Sequence, residues 1–509
     1  MNEALARLPG LLAAHVLLSA AALVLALAVS LPLAVIAARR PAVARVALAA
    51  ASLIQTIPAL ALLALFYPIL LGLSALVGAH IPALGFLPSL LALTLYALLP
   101  ILRNAVTGLT SLDPAVIEAA DGVGMTPGQK LRLVEAPLAA PVVMAGIRTA
   151  AVWTIGAATL STTVGQPGLG DLIFAGLQTQ DWTLVLTGCL ASAALALIAD
   201  ALLGLIALGL AKRRRLAVWI GFALLAGGTI AAALPRLLPA PARDTVVIGA
   251  KNFSEQYILA RLIGERLTAA GYAVEYREGL GSAVIFRALA AGDIDVYVDY
   301  SGTLWTNEMK RGDVPARGAM IAAIGDWARR EHGVELVGPM GFENAYALAV
   351  RGADAKRLGL RTIDDLARVS AGMTLGADLE FLDRPEWAML RRAYPLHFAA
   401  QRAYSPTFMF RALESGQADV ISAFSSDGRI AAMQLTVLAD PKGAIPGYDA
   451  LLLAAPRRAG DERFLAAIRP LANAIPVETM REANYRVDRD ADKQSPEAAA
   501  RWLQTRIRH

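Results

Sequence analysis

Residues 118–137 read EAADGVGMTPGQKLRLVEAP, a polar, charged stretch set between long apolar segments. In a chain with a mean hydropathy of +0.51, such a stretch belongs outside the hydrocarbon of a bilayer, where its charges stay hydrated. Glu118-Ala119-Ala120 favours helix. Gly124, four residues after Ala120, permits a tight bend, and Pro137, thirteen residues beyond Gly124, is expected to end a second short helix. The stretch therefore predicts two short helices joined by a turn, in a loop between spans.

Working outward, apolar runs at 11–37, 46–75, 83–102, 142–163, 183–211 and 216–235 each approach or exceed the roughly 20 residues a helix needs to cross a bilayer. Six spans are predicted. Arg39, Arg40 and Arg45 lie between the first two, Arg103, Lys130, Arg132 and Arg148 surround the central loop, and Lys212–Arg215 separate the last two. Excess positive charge marks cytoplasmic loops, so these three are assigned inside, with the N-terminus and everything after Pro235 outside. The first run is too long for the apolar region of a cleaved signal peptide and is expected to stay as a helix. Pro58, Pro68 and Pro88 are expected to kink their spans. Gln55, Thr56, Asn104 and Asp200 are the polar groups at membrane depth, read as structural more readily than as solute contacts.

Composition narrows the function classes. The chain has 509 residues, 56% of them hydrophobic, and a net charge of +5. Its basic residues gather at the ends of apolar runs instead of on one aromatic-interleaved face, which argues against nucleic acid. One cysteine, Cys189, and five scattered histidines (His15, His80, His332, His397, His509) offer neither a disulfide framework nor metal-ligand spacing. No metal site is expected. No Ser/His/Asp or paired-carboxylate arrangement suggests an enzyme, and no GxxxxGK[ST] phosphate loop occurs.

After the sixth span the composition changes. Pro235–Asp244, LPRLLPAPARD with its leading Leu234, is a Pro-rich tether, and the chain beyond it reads as globular. Strands are expected at Thr245–Lys251, Ala273–Glu278 and Asp293–Tyr300, with helices at Ser254–Ala270, N-capped by Ser254, and Ser282–Ala291. This alternation predicts a parallel α/β sheet. ALAAGDIDVYVDYS at 288–301 is echoed by ALESGQADVISAFS at 412–425. The repeat predicts two lobes, with Tyr300 and Phe424 at equivalent strand ends aimed into a shared cleft.

These residues carry two resemblances. Glu118-Ala119-Ala120, Gly124 and Pro137 resemble the coupling loop of permeases in binding-protein-dependent ABC importers, although Val134 and Ala136 replace the usual Ile and Leu. Ser161–Leu177 looks like the outer-gate stretch of the same family. KNFSEQ from Lys251, DYSGT from Asp299, ENAYAL from Glu343, ADLEFLDR from Ala377, AFSSDGRI from Ala423 and PGYDA from Pro446 are similar to the binding proteins for glycine betaine, choline and carnitine.

The resemblance implies an α-helical transmembrane domain of about six spans followed by a two-lobed α/β periplasmic-binding-protein domain, type II-like. Expected boundaries are 1–235 for the permease with its coupling loop at 118–137, 236–243 for the linker and 244–509 for an extracytoplasmic binding domain. It implies an aromatic box of Tyr300, Tyr346, Phe424 and Tyr448 around a trimethylammonium group, Phe424 departing from the family's Tyr, with Lys251, Thr303 and Arg384 gripping the ligand's carboxylate. Trp305 and Trp387 are expected in the core instead. It also implies a separate cytoplasmic ABC ATPase docking on Glu118, Ala119, Ala120, Gly124 and Pro137, a homodimer of permease domains, no cofactor and a multi-pass location in a bacterial inner membrane. Competing readings are an amino-acid importer, with Asp299 or Asp427 receiving the ammonium, and a membrane-tethered solute sensor.

Overall fold

The computed structural model describes residues 2–78, 81–179, 181–237, 244–489 and 491–507. The expected linker falls largely outside them, as do His80 and His509. The chain divides into two compact units, residues 1–174 with 182–242, and residues 175–181 with 243–509.

The first unit is helical: α1 (Asn2–Arg39), α2 (Pro41–Thr56), α3 (Ala59–Val77), α4 (Phe86–Thr110), α5 (Pro114–Gly122), α6 (Pro127–Lys130), α7 (Ala136–Ala158), α8 (Leu169–Thr179), α9 (Trp182–Ala211) and α10 (Arg215–Leu237). Among the described residues six helices are long and apolar enough to cross a membrane, which makes this a multi-pass membrane protein. Helix α4 packs against both α1 and α7, and α9 lies against α7 and α10. Close approach of α4 and α7 depends on Gly146, where a Cβ would stand 2.5 Å from the carbonyl oxygen of Pro100.

Three expectations need correction. The run 46–75 is not one span: Ile57 is extended and Pro58 caps α3, so the chain breaks between α2 and α3. Proline cannot donate a helical hydrogen bond and disfavours helix at the preceding residue. The Tyr96 hydroxyl donates to the carbonyl of Ile57 at this break. Pro88 does not kink α4, because it sits in the first turn, where no N–H is needed. Pro137 does not end a helix. A π-helical turn, Leu131–Glu135, joins α6 to α7, and Pro137 lies in the first turn of α7. The wider π turn, in which Ala136 N–H donates to the Leu131 carbonyl, accommodates the proline ring without interrupting the helix.

Gln55, Thr56, Asn104 and Asp200 each have a partner within the helical unit. Pro100 cannot donate to the carbonyl of Tyr96, and Gln55 Nε2 does so instead at 3.3 Å. Asn104 Nδ2 donates to the Pro100 carbonyl at 2.8 Å, and Thr56 Oγ1 to Leu53 at 2.7 Å. Asp200 of α9 receives Arg148 of α7 in a two-pronged pair at 2.8 and 2.7 Å. His15 is buried, its Nδ1 accepting from Leu169 N–H and its Nε2 donating to the Ile155 carbonyl.

The second unit contains two five-stranded sheets. Its strands are β1 (Thr245–Lys251), β2 (Ala273–Leu280), β3 (Val296–Tyr300), β4 (Glu335–Glu343), β5 (Tyr346–Arg351), β6 (Thr374–Asp378), β7 (Ala400–Tyr404), β8 (Val420–Phe424), β9 (Leu435–Val437) and β10 (Asp449–Ala454). Their order is β2-β1-β3-β10-β4 in one lobe and β7-β6-β8-β5-β9 in the other. The sheets are mixed, not wholly parallel: β10 runs antiparallel between β3 and β4, and β5 antiparallel between β8 and β9. The chain crosses between lobes after β4 and again before β10, so each of β5 and β10 enters its sheet from the cleft edge. The sequence repeat corresponds to a helix, a turn and a strand in each lobe, ending in β3 and β8. Its shared glycines, Gly292 and Gly416, close the two helices at φ +79° and +76°, a conformation most side chains resist. Ser254 is the first residue of its helix and not the cap, which is Phe253; the Ser254 hydroxyl bonds Asp488 instead.

Candidate functional site

One topological fact gathers the site. Strands β1, β3, β6, β7 and β8 end at the cleft, while the antiparallel β5 and β10 begin there. Lys251, Tyr300, Asp378, Tyr404 and Phe424 are final residues of their strands, Tyr346 is the first of β5, and Tyr448 directly precedes β10. Register completes the arrangement: Tyr346 pairs with Phe424, and Asp378 with Tyr404. A cavity of about 420 Å³ results, and Lys251, Tyr300, Thr303, Tyr346, Arg384, Phe424 and Tyr448 all lie on its wall. Trp305 and Trp387 are buried elsewhere, the first donating Nε1–H to the Asp313 carbonyl and the second packed on Phe381.

The aromatic rings form a continuous surface. Tyr346 lies 4.9 Å from Phe424 and 5.8 Å, edge to face, from Tyr448, measured between ring centroids. Phe253 continues it, stacked 5.9 Å from Phe424 and tilted at 6.1 Å from Tyr300. Sequence reading missed Phe253, although it stands inside the KNFSEQ motif. Gly302 makes room for Tyr448, since a Cβ there would stand 2.4 Å from the phenol ring. Burial pushes the phenols of Tyr300, Tyr346 and Tyr448 well above their ordinary pKa, so all three rings stay neutral.

The cationic side is already partly engaged. Lys251 Nζ contacts Asp299 Oδ1 at 2.5 Å, and Asp299 also accepts from the Tyr297 hydroxyl at 2.6 Å. Arg384 reaches Glu380 at 2.7 Å, Thr303 at 3.4 Å and Glu386 at 3.4 Å. Its Nε is buried with no hydrogen-bond partner among the described residues, a guanidinium edge still able to donate to an anion. The carboxylates facing the cavity are Asp378 and Glu380. Asp299 and Asp427, the expected ammonium receptors, do not line it: Asp299 is fully buried with Lys251, and Asp427 is held by Arg429 at 2.6 Å. Spacing could not separate these four carboxylates, because strand-end position and pairing decide which face the cleft. Burial raises the Asp378 pKa to about 6, although its carboxylate accepts the Phe381 N–H. Among the described residues no cluster suits a metal ion.

In the first unit, Glu118, Ala119 and Ala120 lie on α5, Gly124 follows it at φ +80°, and a Thr126–Gln129 capping box starts α6. Glu118 and Ala119 are exposed, and Val123 and Leu133 beside them are 75% and 65% exposed. Lys130 pairs with Asp121 at 2.6 Å across the turn.

Comparison with known proteins agrees with both units. Residues 244–505 match the family described as the substrate-binding domain of ABC-type glycine betaine transport systems, and residues 30–212 the binding-protein-dependent transport system inner membrane component. The chain is 31% identical over 472 residues to the ergothioneine transport permease/ergothioneine binding protein EgtU of Helicobacter pylori, covering 89% of this chain and 82% of that protein. It is 40% identical over 186 residues to the choline transport system permease protein OpuBB of Bacillus subtilis, covering 36% of this chain and 80% of that protein. A solved glycine betaine/carnitine/choline ABC transporter structure is 27% identical, with a TM-score of 0.45, and covers 51% of this chain and 97% of that one. The chain therefore belongs to the binding-protein-dependent transport systems, as a fusion of the inner-membrane permease component with a substrate-binding domain of the ABC-type glycine betaine transport family.

Proposed function

We propose that this importer subunit captures a quaternary ammonium solute in the cavity of residues 244–509 and passes it through its own membrane unit. The observation that carries this is the run of five aromatic rings, Tyr300, Phe253, Phe424, Tyr346 and Tyr448, along one cavity wall. A quaternary ammonium has no N–H to donate and is held by negative ring faces, at about 0.5–2 kcal/mol per contact. Arg384, with its free Nε, and the Lys251 and Thr303 side chains would meet a carboxylate on the same solute, as in glycine betaine or carnitine; choline would use them less. The lobes close around the ligand by hinge motion at the two crossings.

A larger betaine is favoured by a further observation: Asp378 and Glu380 offer acceptors on the cavity wall that a plain trimethylammonium carboxylate leaves unused. Ring N–H groups, as ergothioneine carries, would satisfy them. They would also suit the primary ammonium of an amino acid, which keeps that class in the test. ATP hydrolysis is assigned to a separate subunit docking on residues 118–137, where exposed Val123 and Leu133 accompany Glu118, and two permease copies would enclose the path. Calorimetric titration of the full-length protein with glycine betaine, choline, carnitine, ergothioneine and common amino acids decides the class. Saturable heat with a quaternary ammonium supports the reading, and heat only with primary-ammonium amino acids overturns it.

A further inference from the structure

Two of the cavity tyrosines direct their hydroxyls away from it, each onto a buried glutamate. Tyr300 Oη donates to Glu255 Oε1 at 2.6 Å, and Tyr448 Oη donates to Glu386 Oε1. Glu255 is 2% exposed and Glu386 fully buried, and neither is among the residues lining the cavity. The direction of the Tyr300 bond is set by its neighbours, because Gln256 Nε2 donates to the same phenol oxygen at 3.0 Å and leaves the phenol proton for Glu255. Other partners of Glu255 are donors too, Asn344 Nδ2 at 2.9 Å and Asn484 Nδ2 at 2.8 Å, and these bonds favour the carboxylate form against the burial that raises its pKa. Glu386 has Arg384 Nη1 at 3.4 Å.

A phenol that donates to a carboxylate is polarised. Electron density moves toward its oxygen and ring, and bonds to charged acceptors in a low-dielectric interior are strengthened. The face turned to the cavity then becomes more negative, which is the property that attracts a cation. Phe424, at the place equivalent to Tyr300 in the repeat, presents a ring with no hydroxyl to be polarised, so Tyr300 and Tyr448 carry this effect.

Resting on the quaternary ammonium reading of the cavity, we propose that Glu255 and Glu386 are positioning residues that set specificity. By accepting the protons of Tyr300 and Tyr448 they orient these rings and make the site prefer a cation over an uncharged group of the same shape. The test uses full-length protein titrated with glycine betaine and 3,3-dimethylbutanoate, in which carbon replaces the charged nitrogen, and with choline and 3,3-dimethylbutan-1-ol. The readout is the ratio of the two dissociation constants within each pair. Wild type favours the cation. Glu255→Gln and Glu386→Gln keep an acceptor of the same size, and each is expected to lower the ratio about fivefold while affinity for the carbon analogue changes less than about twofold. Tyr300→Phe and Tyr448→Phe, which remove the donated proton, lower the ratio likewise and serve if a glutamine variant fails to fold. An unchanged ratio, or equal weakening of both compounds, overturns the proposal and leaves the cation site standing. Wild type that binds none of the four compounds, nor carnitine or ergothioneine, overturns the quaternary ammonium reading and this proposal together.

Discussion

Replacing Tyr346 with Leu tests the ring surface at its centre. Tyr346 is 6% exposed, and its ring contacts Phe424 at 4.9 Å, Phe381 at 5.0 Å and Tyr448 at 5.8 Å. Leucine preserves apolar bulk and removes the π face. Loss of one cation–π contact costs about 0.5–2 kcal/mol, a rise in Kd of about 2- to 30-fold. The three ring pairs are each worth about 0.5–1.5 kcal/mol beyond burial, so unfolding of the binding domain should become easier by about 1.5–4.5 kcal/mol. Binding is therefore measured by calorimetry with glycine betaine well below the unfolding transition, which is recorded in parallel by scanning calorimetry. Tyr346→Phe keeps the face and should remain within about threefold of wild type. A wild-type Kd in Tyr346→Leu would refute the reasoning, as would an equal loss in Tyr346→Phe, since the hydroxyl would then be the group that matters.

Further expectations concern other parts of the chain. Gly302→Ala forces a Cβ to within 2.4 Å of the Tyr448 ring, and overpacking of about 1–3 kcal/mol should weaken ligand binding by fivefold or more, read by the same titration. Asp378 has its folded pKa raised to about 6, against about 3.9 unfolded, so its ionisation opposes folding above pH 6 by about 3 kcal/mol at most and ceases to do so below about pH 4. Acidification from pH 8 to 5 should thus raise the unfolding temperature of wild type relative to Asp378→Asn; parallel curves for the two proteins would disprove it. Asp200→Asn leaves Arg148 unpaired at membrane depth, at about 2.5–3.5 kcal/mol, so each single neutralisation should lower the yield of folded protein, and Arg148→Gln with Asp200→Asn should recover it. Gly124→Val strains the turn at φ +80°, and it and Glu118→Arg should abolish transport in reconstituted vesicles while calorimetric ligand binding stays at the wild-type value.

Much of the cavity wall was legible in the sequence because its residues lie in short linear motifs. Strand ends place their side chains on the cavity wall, and the repeat at 288–301 and 412–425 announced both lobes. Phe253 escaped notice even so, because nothing in its position indicates that the helix start at Ser254 turns its ring between Tyr300 and Phe424. Asp299 and Asp378 show the same limit. Asp299 is next to last in β3 and Asp378 is last in β6, yet Lys251 and Tyr297 enclose the first and the cavity receives the second.

Hydropathy and charge along the chain determined the six spans, the placement of the basic loops and the two-part organisation, since transfer of apolar segments into a bilayer depends on local composition alone. Tertiary structure decided the rest. The break at Pro58 and the continuity through Pro137 depend on whether neighbouring groups or a π turn satisfy the displaced backbone. The antiparallel insertion of β5 and β10 depends on where the chain crosses between lobes. The glutamates behind Tyr300 and Tyr448 lie 45 and 62 residues from their partners in sequence, and a hydrogen bond across that separation is created only when the packed core brings donor and acceptor together.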